Sequence, residues 1–157
     1  MYVLKHGIKH DPERRWNLPD RIFFGHGACH ILAGMYLRLE PLPGFHAEKI
    51  TPEDGFSGNH VYVTNGRIAF DYHGYSSRSR LLAHHWKGWS GRCPGWNASV
   101  EPVDYDLLDK VALNDRKMLG PDQYWGDPMP RAKRFIDQRD HETAARRAAW
   151  LKPAPVP

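Results

Sequence analysis

Cysteine is scarce in this sequence: only Cys29 and Cys93 are present, and no Cys-x-x-Cys pair occurs. Two thiols cannot staple a disulfide-rich scaffold, and without Cys-x-x-Cys spacing a zinc ribbon is excluded. Long apolar runs are also missing. The longest, near Ile31–Leu39, is interrupted by Gly34 and Arg38 and falls far short of the roughly 20 residues that cross a bilayer. The opening Met1-Tyr2-Val3-Leu4-Lys5-His6-Gly7 has no apolar signal core and no small-residue cleavage site. The expectation is a cytoplasmic protein, or one exported without a cleavable signal peptide, with reduced cysteines and no membrane span. No His-Glu-x-x-His motif and no internal repeat are found. Gly25-x-Gly27 lacks the third glycine and the preceding buried strand of a dinucleotide fingerprint.

What is present is a core-forming composition. Hydrophobic residues make up 41%, charged residues 25% and aromatics 12% of 157 residues, which suits one domain rather than a disordered chain. The reading places a single domain over 1–150 and a loose, Pro-rich tail over 151–157. Net charge is +4, and much of it lies late, in Arg131, Lys133, Arg134, Arg139, Arg146, Arg147 and Lys152 against Asp137, Asp140 and Glu142. Such a stretch is either a solvated helix face or a partner-binding one. No nucleic-acid partner is assigned to it.

Residues 1–25 read as mostly irregular, with an extended piece at Arg21–Phe24. After the glycines of Gly25-His26-Gly27, apolar residues at Ile31, Leu32, Met35, Tyr36 and Leu39 give the stripe of a helix buried on one face and ended by Pro41 and Pro43. Cys29 falls in its first turn. Phe45–Ile50 reads as a strand and Thr51–Gly58 as a polar loop. His60–Thr64, Asn65-Gly66 and Arg67–Tyr72 have the signature of a hairpin with a two-residue turn. Ser76 or Ser77 caps a helix carrying Leu81, Leu82, Trp86 and Trp89. A strand over Asn97–Val103, a helix over Tyr105–Leu119 ending at Gly120-Pro121, and a last helix over Arg131–Trp150 complete the expectation.

Chemistry concentrates at three residues. The first N–H groups of a helix are unpaired and its dipole is positive there, so a thiolate at Cys29 is stabilised and its pKa falls. The N–H of Cys29 is itself a donor for an oxyanion. With Asn65-Gly66 as the turn, Thr64 faces Arg67, Val63 faces Ile68, Tyr62 faces Ala69, Val61 faces Phe70 and His60 faces Asp71. His60 and Asp71 then stand opposite on one face, about 5 Å apart at Cβ, and Val61, Val63, Ile68 and Phe70 line the other. A carboxylate beside an imidazole fixes its tautomer and supports its charge, the orienting role in a nucleophile–base–orienter triad.

The ten histidines also raise a metal. His26 and His30 flank Cys29, so a His26/Cys29/His60 site is one alternative. His84 and His85, adjacent on a helix, point about 100° apart and make a poor chelate. His30 reads either as a helper that lowers the Cys29 pKa or as a first-turn residue on the outer face of its helix. Cys93, in Gly91-Arg92-Cys93-Pro94, reads as structural. Trp86, Trp89 and Trp96 cluster around a Gly-rich loop and are core or groove residues.

A helix-start cysteine, then a strand histidine, then an aspartate on the paired strand resembles the papain-like and transglutaminase-like cysteine enzymes, in a minimal bacterial or phage-type form. The resemblance rests on Gly27-Ala28-Cys29-His30, His60-Val61-Tyr62-Val63 and Phe70-Asp71, within residues 22–75. The glutamine that papain-like proteases carry shortly before the cysteine has no counterpart, since Phe23 and Phe24 stand in that region. The resemblance implies an α+β fold: a small antiparallel sheet packed against an N-terminal nucleophile helix, with further flanking helices. It implies amide-bond chemistry on a peptide or protein (hydrolysis, deamidation or acyl transfer) through a Cys29 thioester, with His60 as base and acid, Asp71 as orienter and no cofactor or metal. Tyr62, on the face of His60, is expected to touch substrate, as are His30 and Trp86. The rival readings are a non-catalytic interaction domain, using the basic last helix and aromatic surface, and a His/Cys metal-binding protein.

Overall fold

The computed structural model describes residues 7–150. It is a mixed α+β structure whose five strands are all paired antiparallel. In chain order the elements are α1 (Pro12–Trp16), α2 (Asp20–Gly25), α3 (Cys29–Leu39), β1 (His46–Pro52), β2 (His60–Thr64), β3 (Ile68–Asp71) and β4 (Gly74–Ser77). They continue with α4 (Arg78–Ser90), β5 (Ala98–Pro102), α5 (Lys110–Asn114), α6 (Pro128–Asp137) and α7 (His141–Trp150). The sheet order β4-β3-β2-β1-β5 puts β2 at the centre, and every residue of β2 and β3 is buried. No helix among the described residues is long and apolar enough to cross a membrane. The proposed tail over 151–157 and the first six residues lie outside the described part.

One face of the sheet carries Val61, Val63 and Phe70 onto α3, together with Phe23, Phe24, Phe135 and Ile136. The opposite face carries Ile50, Tyr62 and Ala69 onto Leu81, Leu82 and Trp96. The α3 helix begins at Cys29 and stops at Leu39, where Glu40 turns to φ 45° ahead of Pro41. It is not buried on one face alone, as the apolar stripe suggests. Residues 30–36 are all buried, because α6 and the Leu107-Leu108 segment cover the side turned away from the sheet. A Cβ on Gly34 would come within 2.8 Å of Leu108, so a glycine there permits that covering.

Several expectations are corrected. Arg21–Phe24 is helical, within α2, with Asp20 in the first turn and both Phe23 and Phe24 fully buried. The helix expected over Tyr105–Leu119 shrinks to Lys110–Asn114. Asp106 and Asp109 fold the preceding chain into side-chain-capped turns, accepting from Leu108 N–H and Ala112 N–H, and Lys117 at φ 58° ends it. The last helix is two helices: the chain breaks after Asp137, and Asp140 starts α7 by accepting from Thr143 N–H. The strand β4 occupies Gly74–Ser77, where no strand is expected, and of its two serines Ser77 is the cap of α4. The basic face is also thinner than its composition. Arg131 turns inward onto Asp20 and the Trp16 and Leu18 carbonyls, and Arg139 lies over Phe135.

Candidate active site

The hairpin sets the geometry. Asn65 pairs with Ile68 through its N–H, so the two turn residues are Gly66 and Arg67, not Asn65 and Gly66. Gly66 has φ 88° while Arg67 does not enter the left-handed region, as a turn with glycine first demands. The Asn65 side chain accepts from the N–H groups of Arg67 and Ile68 and locks this choice. Val63 therefore faces Phe70 and Thr64 faces Ala69. The register is two residues away from the expected one, and His60 and Asp71 are diagonal rather than directly opposite. Because side chains alternate with period two, a two-residue shift leaves both on the same face. The longer diagonal is spanned by the imidazole: His60 Nε2 donates to Asp71 Oδ2 at 3.1 Å, with both residues about 95% buried (4% and 5% exposed). Asp71 Oδ1 accepts the His73 N–H at 2.7 Å, so the carboxylate cannot swing away.

Cys29 is the first residue of α3. Its N–H thus lies where the helix offers no acceptor. The sulfur meets β2 at its start, accepting from the Val61 N–H at 3.5 Å, and the side chains of His60 and His30 both act to lower its pKa. With Nε2 of His60 committed to Asp71, Nδ1 is the nitrogen that remains for the thiol. Burial pushes the thiol up, but the hydrogen bonds and charges of His30 and His60 outweigh it and bring Cys29 down to about 5. Burial also pushes His60 down, and the hydrogen bonds to Asp71 and Cys29 outweigh it, raising His60 to about 10. Asp71 is held well below the carboxylate range: its burial is outweighed by the hydrogen bonds of His60 and His73. Between those limits Cys29 is a thiolate and His60 an imidazolium, titrating as a coupled pair.

The sites expected for substrate are placed differently. Tyr62 does share the His60 face, but α4 covers that face. Tyr62 is fully buried and its hydroxyl donates to Glu48, which also accepts from Arg78 at 2.7 Å. Trp86 packs edge-on against Trp96 at 5.2 Å within the α4-side core, alongside Cys93. His30 is not on an outer face. It is 3% exposed, and its Nε2 donates to the Leu119 carbonyl at 2.8 Å, since the segment after α5 closes over α3 there. Tyr62 and His30 present no free surface to substrate, and Trp86 is half-buried.

Other residues enter the site without having been singled out. His85 lies parallel to His60, ring centroids 5.5 Å apart, and donates from Nε2 to the Gly58 carbonyl. Burial and the positive His60 drive it down to about 3, so it stays neutral. Tyr72 meets His60 edge-on at 5.3 Å. Tyr72, Tyr105 and Tyr124 are all raised, chiefly by burial and in part by the negative charge of Cys29. Beside the pair opens a cavity of about 220 Å³, lined by His60, Asp71, Tyr72, His73, His84 and His85 among others. His84 and His85 do diverge on α4: His84 meets His73 and His85 meets His60. Among the described residues, no group of three or more His, Cys, Asp or Glu side chains converges as a metal site. The glycine at 27 serves a purpose the sequence does not advertise. It sits at φ 109°, and a Cβ there would lie 2.1 Å from Arg15 Nη2, which donates to the Gly27 carbonyl at 2.9 Å. Compared with known proteins, the chain matches no family model, no curated protein and no solved structure.

Proposed function

We propose that the protein is a cysteine-dependent enzyme acting on amide bonds of a peptide or protein, through a Cys29 thioester. One observation carries this reading: a buried Asp71–His60–Cys29 chain whose charges favour a thiolate and an imidazolium at neutral pH. Structural cysteines buried among apolar groups are inert and shifted upward; this one is shifted the other way by specific partners.

In this mechanism the Cys29 thiolate attacks the amide carbonyl carbon. The developing oxyanion takes the Cys29 N–H at the start of α3, where the helix dipole favours negative charge. His60 gives its Nδ1 proton to the departing amine, the C–N bond breaks, and an acyl-thioester remains on Sγ. Neutral His60 then takes a proton from water, or from an amine acceptor, as that nucleophile attacks the thioester. That proton stays on His60 as the resting imidazolium, and collapse of the tetrahedral intermediate breaks the C–S bond, releasing the acyl product and the Cys29 thiolate. Asp71 fixes the ring and supports its charge throughout. The test is intact-mass analysis after incubation with a panel of fluorogenic acyl amides. An acyl adduct that maps to Cys29, is absent in Cys29→Ala and turns over slowly in His60→Gln supports the reading. No adduct, together with an ordinary alkylation midpoint for Cys29, would sink it.

A further inference from the structure

A second cavity, of about 250 Å³, has in its lining Arg15 and Tyr124, which bond the Gly27 carbonyl two residues before Cys29. Its walls include Trp16, Phe23, Tyr124, Trp125 and Leu119, with Arg15 among them. The walls are fixed in advance. Phe23 meets Trp16 edge-on at 5.3 Å and Tyr124 at 5.7 Å, and the Arg131 guanidinium lies over both Trp16 and Phe23. Gly126 backs Trp16 so closely that a Cβ would reach it at 2.6 Å. Trp125, by contrast, is 62% exposed, a large apolar ring left in water at the rim.

The polar feature of this cavity is Arg15. Its Nη2 is held by the Gly27 carbonyl, and its guanidinium lies over the Tyr124 ring at 5.8 Å. A guanidinium in the lining favours an oxygen acceptor on whatever binds there. The cavity is also tied to the nucleophile on both sides. The Gly27 carbonyl accepts from Arg15 and from the Tyr124 hydroxyl, each at 2.9 Å, and Leu119 accepts from His30. Gly27 precedes Cys29 by two residues and His30 follows it, so the anchors of the pocket lie within roughly 8 Å of the nucleophile along the chain. That is the reach of about two residues of extended peptide.

Resting on the catalytic reading above, we propose that this pocket is the substrate-recognition site: it takes an aromatic side chain, with the Arg15 guanidinium as the charged partner of the adjacent carbonyl or carboxylate oxygen. Aromatic walls and an apolar lip select the ring. The guanidinium beside them excludes a cationic side chain and asks for an acceptor.

The experiment follows indole N–H signals by two-dimensional NMR in the full Cys29→Ser chain, titrated with N-acetylphenylalanine, its amide and N-acetylglycine. Both phenylalanine compounds should bind in the millimolar range, with N-acetylglycine at least tenfold weaker. Trp125→Ala, at an exposed position, should weaken binding by about tenfold without loss of folding. A tighter acid than amide identifies the carboxylate as the oxygen Arg15 reads; equal binding identifies the carbonyl. Arg15→Met should remove that preference or weaken both. In the wild-type chain, saturating N-acetylphenylalanine should change the alkylation rate of Cys29 severalfold. No binding, binding indifferent to Trp125, or binding that leaves Cys29 alkylation untouched overturns the proposal. Each of those failures leaves the low alkylation midpoint of Cys29 in place. Failure of the catalytic reading shows itself separately, as an ordinary midpoint.

Discussion

Replacing His60 by glutamine is the most informative single perturbation, because it removes the charge facing Cys29 while keeping a donor for Asp71. Burial is the largest influence on the thiol and raises it. Without His60 only His30 opposes that burial, so Cys29 should return to about 9, the ordinary range for a thiol. At pH 7 a thiol of pKa 5 is about 99% thiolate and one of pKa 9 about 1%, a hundredfold loss of nucleophile. Intrinsic reactivity of a thiolate toward disulfides rises with its pKa with a slope of about 0.4–0.5, so a four-unit rise returns roughly 40- to 100-fold. The two effects nearly cancel at pH 7, and a rate measured there would mislead. The pH profile separates them. In a Cys93→Ser background, exchange with an uncharged disulfide should show a midpoint near 5 for the parent. For His60→Gln the midpoint should lie near 9, with the variant the faster of the two above that pH. A variant midpoint that stays near 5 would show that His30 and the Val61 N–H suffice, and the assignment of His60 as the partner of the thiolate would fall.

Four further outcomes follow from the same geometry. Asp71→Asn removes the main support of the His60 charge, so the alkaline limb of activity, expected near 10, should move down by at least one pH unit in a kcat/KM profile while the acid limb stays. The Cys29–His60 pair should also shape stability. Cys29 is lowered from 9.0 to about 5 and His60 raised from 6.5 to about 10. The folded chain therefore holds one proton fewer than the unfolded chain between 5 and 6.5, an equal number to 9.0, and one more to 10. Stability from the pair rises, stays level and then falls across those windows, which urea midpoints of wild type minus a Cys29→Ala/His60→Gln variant would reveal. Arg131→Met strands two carbonyls and the Asp20 carboxylate and should cost about 2–4 kcal/mol in urea unfolding. Gly27→Ala forces a Cβ onto Arg15 at a φ of 109° and should cost about 1–3 kcal/mol, of which an added Arg15→Ala should restore part.

What the sequence made legible was local or periodic. The α3 helix is announced by its apolar spacing, and its bounds follow from Gly27 on one side and Pro41 on the other. Ser77 as a cap, and strands near 46–52 and 98–102, also follow from local chemistry. The misses share a cause, which is competition between a local polar side chain and a longer regular element. Asp106, Asp109 and Asp140 each satisfy backbone N–H groups of their own, and each shortens or divides a helix that composition alone would extend. The Asn65 side chain does the same at the hairpin, moving the turn by one position and the register by two.

That slip explains why the candidate site was nonetheless legible. Face is a parity property of a strand, and parity survives a shift of two residues. His60 and Asp71 could therefore be placed together from a wrong register, and Tyr62 could be placed beside them. Whether a face is open is a different kind of fact. It depends on which element lands on it, and the chain that covers Tyr62 starts at Arg78 while the one that covers His30 lies near Leu119 and Tyr124. No spacing within residues 28–72 contains that information. Polar residues that share a face with a nucleophile can accordingly be found from pattern. Which other residues border that site depends on where the distant chain leaves a gap. Here those gaps are lined by His73 and His84 beside His60 and Asp71, and by Arg15, Trp16 and Trp125 where Arg15 bonds the Gly27 carbonyl.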